Sequence, residues 1–536
     1  MSSVKDLTSD RQLERTDLYC RIWNIMFAFV FCGTLLASSR ATSKPSIVVI
    51  YADDLGYGDV QCYNEERGLI PTPHIDSLAA QGMRFTDAHS SSAVCSPSRY
   101  TLLTGRYHWR TRLQKGIVGL WGKPLIREGR TTLGHLGQEA GYRTVCIGKW
   151  HLGWNWPISA DEMEYFRTGG YGGKKDIQAT NEHRSVWKRV FSQSLGGGPT
   201  AVGFDRYFGV DVPNWPPYTF IENDRVVGLP TEFADPSLFT PNQASVQGPA
   251  LEGWSLEPVL PALGDEAVEV IEASAREQRP LLMYLSLTSP HTPLAVNDEW
   301  KGKSGLGSYA DLVIETDALV GKILAALERT GKDKDTLVLF TSDNGCAHYI
   351  GTDALEKQGH YPSGPLRGYK SDVWEGGHRV PFIVRWPGVV KAGSVFDGLV
   401  HQADVFATVA EITGIGLSDR AMPGGEDSFS LLSCLKGGRG PVRTSAISCS
   451  IRGVPSLRLG DWKYIPQGGS GGWSKGEESQ DAQLYHLGFD LGERMNLAAE
   501  YPKKLTELRE LMESLIARGR SNPGPKVDND VQVVRY

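Results

Sequence analysis

"SIVVIYADD" runs from Ser46 to Asp54, an unbroken apolar stretch that ends in two adjacent carboxylates. A short continuous run rich in β-branched residues reads as a strand covered on both faces, the kind that parallel sheets are built from. Three further runs repeat the pattern. "RTVCIGKWHLG" (143–153) ends in Lys149 and His151, "RPLLMYLSLTSPHTP" (279–293) in Ser289, Pro290 and His291, and "DTLVLFTSDNG" (335–345) in Asp343 and Asn344. Between them lie stretches with helical spacing of apolar residues: "HIDSLAAQGM" (74–83), "TLGHLGQEAG" (132–141), "DEAVEVIEASARE" (265–277) and "YADLVIETDALVGKILAALERTG" (309–331). Such alternation predicts an α/β fold with a large, mostly parallel sheet sandwiched by helices. Ligands of these sheets bind beyond the carboxyl ends of the strands. All four polar strand ends are therefore expected to converge on one site.

The 536 residues suffice for several domains, or for one large α/β domain with an appendage. A net charge of -6 leaves no basic footprint for nucleic acid. At the N-terminus, "IWNIMFAFVFCGTLLA" (22–37) follows a polar stretch ending in Arg21 and precedes the small residues of "SSRATSKPS". It is short for a membrane span and reads as a signal peptide within a leader of residues 1–41, so the chain is expected to be exported, periplasmic or secreted. A retained anchor is the alternative; after leader removal no stable membrane insertion is expected. Cys20 and Cys32 leave with the leader. The remaining Cys62, Cys95, Cys146, Cys346, Cys434 and Cys449 have no metal-type spacing and do not form a disulfide scaffold, although Cys434 and Cys449 could pair.

A catalytic domain is expected over 42–414. Beyond Gly414, "SLRLGDWKYIPQGG", the glycine-rich "GGSGGWSKGEESQ" and the amphipathic "PKKLTELRELMESLIARG" predict a smaller C-terminal α+β subdomain over 415–525, with a small antiparallel sheet, a helix and then a tail of 526–536. The stretch from Trp154 to Pro261, rich in Gly, Pro and Trp, reads as insertions over the site rather than framework.

Adjacent carboxylates at a strand end repel and are hard to keep ionised without a cation. Asp53, Asp54, Asp343 and Asn344 together offer four hard oxygen ligands, a set that suits Ca²⁺, Mg²⁺ less well, and Zn²⁺ poorly for want of His and Cys. Taken singly, either pair reads as loop acids that cap helices or shape turns; at matching strand ends, they point to a metal. In "SSAVCSPSRYTLLTGRY" (91–107), Ser96-Pro97 starts a helix and Gly105 ends it. Cys95 then sits at the helix N-terminus, where free N–H groups favour an anion, and Arg99 lies one turn along the same face. A disulfide half, a buried small residue, a thiol nucleophile and a modified residue all remain open for Cys95 on these grounds.

The chain resembles the type I sulfatases of the alkaline phosphatase-like superfamily. Their signature of Cys, any residue, Pro, Ser, Arg, a spacer and Thr-Gly-Arg stands here as Cys95 to Arg99 and Thr104-Gly105-Arg106, and a second signature stands as "GYRTVCIGKWHLG". "ADDLGYGD", "TSPHTP", "SDNG" and "KSDVWEGGHRVPF" extend the resemblance from about Ser46 to Ala499. It implies that a separate formylglycine-generating maturase oxidises Cys95 to Cα-formylglycine. One hydroxyl of the aldehyde hydrate, held on a calcium ion with Asp53, Asp54, Asp343 and Asn344, attacks a sulfate ester, and the second later expels sulfate. By motif position, Arg99 and Lys149 would hold the formylglycine, His151 would act as base, and His291 with Lys370 would contact the sulfate and the bridging oxygen. The substrates implied are sulfated carbohydrates and aryl sulfates. Two departures stand out. Ser371-Asp372 follow Lys370 where many relatives have small residues. The loop "GFDRYFGVDVPNWPPY" lacks the serine that supports the base in relatives, leaving Asp211 or Asn214 for that task. Trp215 to Tyr218 could wall the site or serve the core. A phosphatase or phosphonate monoester hydrolase on the same fold is the alternative, disfavoured by the shortage of histidine ligands; a binding module and an unmodified thiol hydrolase are further rivals.

Overall fold

Each of the four apolar runs is a strand near the middle of a ten-stranded sheet. The computed structural model describes residues 44–167, 178–239, 245–277, 279–417, 423–476, 479 and 481–536; the expected leader lies outside the described residues, apart from which Pro45–Tyr536 makes one compact unit. In chain order the strands of the large sheet are β1 (Ser46–Ala52), β2 (Met83–Phe85), β3 (Arg143–Lys149), β4 (Arg206–Val210), β5 (Ile221–Glu222), β6 (Arg225–Val226), β7 (Leu281–Ser286), β8 (Thr336–Ser342), β9 (Phe382–Arg385) and β10 (Ser394–Phe396). Their spatial order is β10-β2-β9-β8-β1-β7-β3-β4-β5-β6. The five strands β8, β1, β7, β3 and β4 are mutually parallel, and antiparallel pairings join β9 and β5 to their edges.

Register brings the site together. Ala52 pairs with Ser342, Tyr51 with Ser286, and Ser286 with Gly148, so the carboxyl ends of β1, β8, β7 and β3 are level to within about a residue. Every residue of β1, β7 and β8 is buried, as continuous apolar runs require. Alternation along β1 divides the core in two. Ile47, Val49 and Tyr51 face the helices α2 (Cys95–Thr104), α3 (Leu133–Glu139) and α6 (Asp404–Thr413); Val48 and Ile50 face α1 (Pro73–Gln81), α4 (Val259–Glu277) and α5 (Ser308–Arg329). α4 begins six residues before the expected stretch, because Pro261 is tolerated in a first helical turn.

The region between Trp154 and Pro261, expected as insertions, also supplies framework: β4, β5 and β6 come from it. Gly209 is part of the reason it does not look like a strand. A Cβ there would sit 2.0 Å from the Gly148 carbonyl oxygen, so the close approach of β4 to β3 excludes a side chain at a position where strand propensity would ask for one.

A separate antiparallel sheet follows: β11 (Ser445–Cys449), β12 (Pro455–Leu459), β13 (Trp462–Ile465) and β14 (Gln483–His486). Helix α7 (Pro502–Arg518) covers it with Leu508, Met512, Leu515 and Ile516, in one cluster with Ile447, Leu457 and Tyr464 and with Trp109 from beyond the end of α2. Arg110 pins this arrangement from beneath. Its guanidinium donates twice to Asp427 (2.9 and 2.8 Å), to the Leu515 carbonyl (3.2 Å) near the end of α7, and to Asn529 (3.0 Å). Arg106 reaches the Asp528 carbonyl, so residues expected as a tail lie against the body of the protein. Arg110→Ala strands the buried Asp427 carboxylate and is expected to cost about 3–5 kcal/mol, read as a lowered denaturant midpoint. Arg112→Ala, at an exposed neighbour, should stay within about 0.5 kcal/mol.

All six described cysteines are unpaired, Cys434 and Cys449 included. Among the described residues, no helix is long and apolar enough to cross a membrane.

Candidate functional site

Helix α2 starts at Cys95 itself, after an extended Val94, and stops at Gly105, whose φ of 63° is the left-handed conformation that favours glycine. All ten residues of the helix are buried, and Cys95 is only 2% exposed. The Cys95 side chain lines a cavity of about 390 Å³ together with His151, His291 and Lys370. Deeper in, the three carboxylates and their cations interlock. Arg99 donates to Asp343 at 2.6 Å and lies 3.1 Å from Asp53, while Lys149 donates to both oxygens of Asp53 (3.0 and 2.8 Å). Lys370 donates to Asp54 at 2.6 Å, Asn344 Nδ2 donates to the other Asp54 oxygen at 2.7 Å, and the Asp54 N–H donates to Asp343 at 3.1 Å. His291 Nε2 stands 3.6 Å from Asp54. All the residues singled out from the four strand ends and from α2 thus meet in one place.

The backbone is bent to make this possible. Asp54 (φ 64°), His151 (φ 54°) and Ser371 (φ 83°) hold left-handed conformations that side chains with a Cβ resist. Each lies at the site or beside Lys370, which is where strain of this kind accumulates in proteins.

Burial decides the protonation states, and partners then correct it. Burial opposes the charge on Asp53, yet Lys149, His291 and Arg99 outweigh it and hold the carboxyl well below the usual range. At Asp343, burial and the Asp53 charge win over Arg99 and push the carboxyl up to about 7. Burial works against the Lys370 ammonium, but Asp54 and Cys95 more than restore it. His151 goes the other way: burial, then Lys149 and Arg99, hold its imidazole well below the ordinary histidine value.

His151 is supported by neither Asp211 nor Asn214 through its ring. Its Nε2 meets the Val118 carbonyl at 3.1 Å, and the Val118 N–H in turn donates to Ser96 Oγ at 3.1 Å, beside the cysteine. A carbonyl only accepts, so Nε2 carries the proton and Nδ1, buried and without a hydrogen-bond partner among the described residues, keeps its lone pair. Asp211 contributes its backbone oxygen to the His151 N–H and its side chain to Trp154. Trp215 lines the cavity and meets the His151 ring edge-on at 5.4 Å, whereas Tyr218 spends its hydroxyl on the Asn214 and Val246 carbonyls. Ser286, at the end of β7, was not among the expected residues; it bridges Arg99 and the Lys149 carbonyl. A serine inside an apolar strand carries no spacing signal.

The site can hold a metal ion: Asp53, Asp54, Cys95 and His291 offer ligand atoms within 4.8 Å of one another, the two carboxylates being the hard oxygen donors of the group. Asn344 Oδ1 is buried beside them with no hydrogen-bond partner, an acceptor of the sort an ion would satisfy.

A family model described as Sulfatase matches residues 45–415. The chain is 32% identical over 520 residues to the N-acetylgalactosamine-6-O-sulfatase of Bacteroides thetaiotaomicron, covering 90% of this chain and 95% of that protein. It is 34% identical over 423 residues to human (Homo sapiens) arylsulfatase H, covering 73% and 72% respectively. A solved sulfatase structure, described under the metabolism of multiple glycosaminoglycans by Bacteroides thetaiotaomicron, superposes with a TM-score of 0.74 at 30% identity and covers 88% of this chain and 99% of that one.

Proposed function

The chain belongs to the sulfatase family and is a sulfuric ester hydrolase; from that premise we propose that it is an exported, calcium-dependent enzyme in which Cys95, converted to Cα-formylglycine by a maturase, is the nucleophile toward sulfated carbohydrates and aryl sulfates. The observation that carries this reading is the meeting, in one place, of Cys95 at the start of α2, three buried carboxylates, two histidines and Lys149 from four strand ends, and Lys370 from a loop. The carbohydrate preference draws on the similarity to an N-acetylgalactosamine-6-O-sulfatase, and export on the apolar stretch 22–37.

Asp53, Asp54, Asp343 and Asn344, with the modified Cys95, would hold the calcium ion, which supplies Lewis-acid polarisation of bound oxygens and lowers the pKa of a hydroxyl nearby. The formylglycine hydrate supplies one hydroxyl for attack on sulfur and a second for release of sulfate. Lys149 and Arg99, both fully buried, fix the orientation of Asp53, and Arg99 that of Asp343 as well, and place positive charge beside them. His151 Nδ1 would take the proton of the hydrate's second hydroxyl as that oxygen's C–OH becomes the carbonyl and sulfate leaves, its ring aligned by the Val118 carbonyl. His291 has its Nδ1 turned to the Thr292 carbonyl, which leaves Nε2 toward Asp54 and the cavity. Lys370 stays charged through Asp54. These two contact the sulfate and the bridging oxygen, and one of them protonates the leaving alcohol.

Hydrolysis of 4-nitrophenyl sulfate against 4-nitrophenyl phosphate tests the reaction class; preference for the phosphate would put the phosphatase reading ahead. Stripping the enzyme with a calcium chelator should lower turnover by roughly 100-fold or more, with recovery on adding Ca²⁺. Full activity after verified removal of the ion would rule out the metal assignment.

A further inference from the structure

The outer part of the cavity differs in character from its floor. His151, His291 and Lys370 stand beside Cys95, whereas the rest of the lining, with Ile117, Val212, Asn214, Trp215, Tyr349 and Trp473 in it, carries no charge among the described residues. Trp473 is 49% exposed and Tyr349 41% exposed, unusual for large aromatic residues. Their ring centroids are 5.8 Å apart at an interplanar angle of 49°, which leaves the Trp473 ring uncovered by a parallel stack.

Trp473 comes from the glycine-rich stretch 468–480, which composition alone marks as a loose connection. In the structure, residues 470–474 of it are clamped. The Trp473 N–H donates to Ser371 Oγ at 2.9 Å and the Ser474 N–H to Asp372 Oδ1 at 3.1 Å. Ser474 Oγ donates to the other oxygen of Asp372, and the Val373 N–H donates to the Ser470 carbonyl at 2.8 Å. A Cβ at residue 472 would lie 2.4 Å from the Ser371 carbonyl oxygen, so Gly472 lets the loop close directly onto the chain beside Lys370. Ser371 and Asp372 thus have a task in the structure, which is to hold this loop.

We propose that Trp473 is a specificity residue that stacks on the ring of the leaving alcohol, that Ser371 and Asp372 are positioning residues that hold it there, and that the substrates selected are sulfate esters of uncharged rings: neutral hexosamines or hexoses, and aryl groups. This rests on the sulfatase reading and deepens it. An aromatic face is matched by the C–H face of a pyranose or by an aryl ring, and both are large apolar contributions to binding. A carboxylate beside the ester would be desolvated against Trp473 and the aliphatic lining with no cation among these lining residues to pair with it.

The test compares wild type, Trp473→Ala, Trp473→Phe, Ser371→Ala and the Ser371→Ala/Trp473→Ala double variant, each in the mature, full-length enzyme. The substrates are 4-nitrophenyl sulfate, a neutral hexosamine 6-sulfate and a sulfated disaccharide with a uronate next to the ester; inorganic sulfate serves as inhibitor. Trp473→Ala should lower kcat/KM on the two uncharged-ring esters by roughly 10- to 100-fold, through KM more than kcat, and leave the inhibition constant of sulfate within about twofold. Trp473→Phe should recover most of the loss. Ser371→Ala should raise KM in the same direction, and the double variant should be no worse than Trp473→Ala alone, since the serine acts through the tryptophan. Wild type should prefer the neutral monosaccharide ester over the uronate-bearing one by roughly 10-fold or more. An active wild type whose KM is insensitive to Trp473→Ala overturns the stacking role, and preference for the uronate-bearing ester overturns the substrate class. Additive losses in the double variant overturn the positioning role. A wild type that hydrolyses no sulfate ester, with formylglycine present, overturns the sulfatase reading itself, an outcome distinct from all of these.

Discussion

Replacing Cys95 with alanine is expected to lower sulfate-ester turnover by on the order of 10⁴-fold or more, because a Cβ without the thiol cannot be converted to the aldehyde whose hydrate is the nucleophile, while every orienting group stays. The change is small for the fold. Cys95 is the first residue of α2, its side chain faces a cavity rather than the packed core, and the helix is held by Ser98 bonding back to the Ser92 and Val94 carbonyls. Circular dichroism and the denaturant midpoint should therefore match wild type. Cys95→Ser separates the two nucleophile chemistries. A serine hydroxyl in that position can accept a sulfuryl group but has no second hydroxyl with which to release it, so at most one turnover per site is expected, visible as a burst without a steady state. Mass spectrometry of the peptide that contains Cys95, from enzyme expressed with the maturase, should show the aldehyde or its hydrate. Fully active enzyme bearing only the thiol would sink the formylglycine mechanism, and inactivation of wild type by a thiol alkylating reagent would favour the thiol hydrolase instead.

The strand ends could be read from residues because two independent signals coincide there: a run buried on both faces, and an abrupt change to charged side chains. Asp53-Asp54, Lys149 with His151, His291 and Asp343-Asn344 are all of this kind, and parallel register brings them level. Lys370 has no strand before it and was placed by motif alone; the structure sets it on Asp54 through a loop whose backbone bonds to Cys346 and Ala93. What escaped the sequence is what depends on backbone atoms. The partner of the His151 ring is a carbonyl, Val118 O, and any residue there would present the same oxygen. Gly209 suppresses the signature of β4 for a reason visible only in the neighbouring strand. Trp473 sits in a glycine-rich stretch that composition marks as a loose connection, and its order comes from two side chains about a hundred positions away. Local patterns report an element's own burial; they do not report what another segment's backbone does to it.

His151→Ala should lower kcat by roughly 10²- to 10⁴-fold, the range for loss of a positioned base, and should change the shape of the pH profile as well as its height. In the wild type, burial first, with Lys149 and Arg99 adding repulsion, keeps the imidazole deprotonated well below its ordinary value. A base is competent only when deprotonated, so its contribution is present above that depressed value and is lost as pH falls through it. The acid limb of kcat due to His151 should accordingly lie below about pH 6.5, the unperturbed histidine value, and should vanish in His151→Ala. Lys149→Met removes one of the repelling charges and should move that limb to higher pH even as kcat falls, a direction that simple loss of activity does not predict. Stability gives a second, independent reading of the same shift. Below about pH 6.5 the unfolded chain protonates this histidine while the folded chain does not, so protons favour unfolding and folded stability declines as pH drops, by up to about 1.4 kcal/mol per pH unit for this one group. His151→Ala deletes that dependence: its denaturant midpoint should fall less steeply between pH 6.5 and 5 than the wild-type midpoint. Equal slopes in the two proteins, together with an unchanged acid limb in Lys149→Met, would show that the ring is not held neutral by its surroundings and that the base must be sought elsewhere.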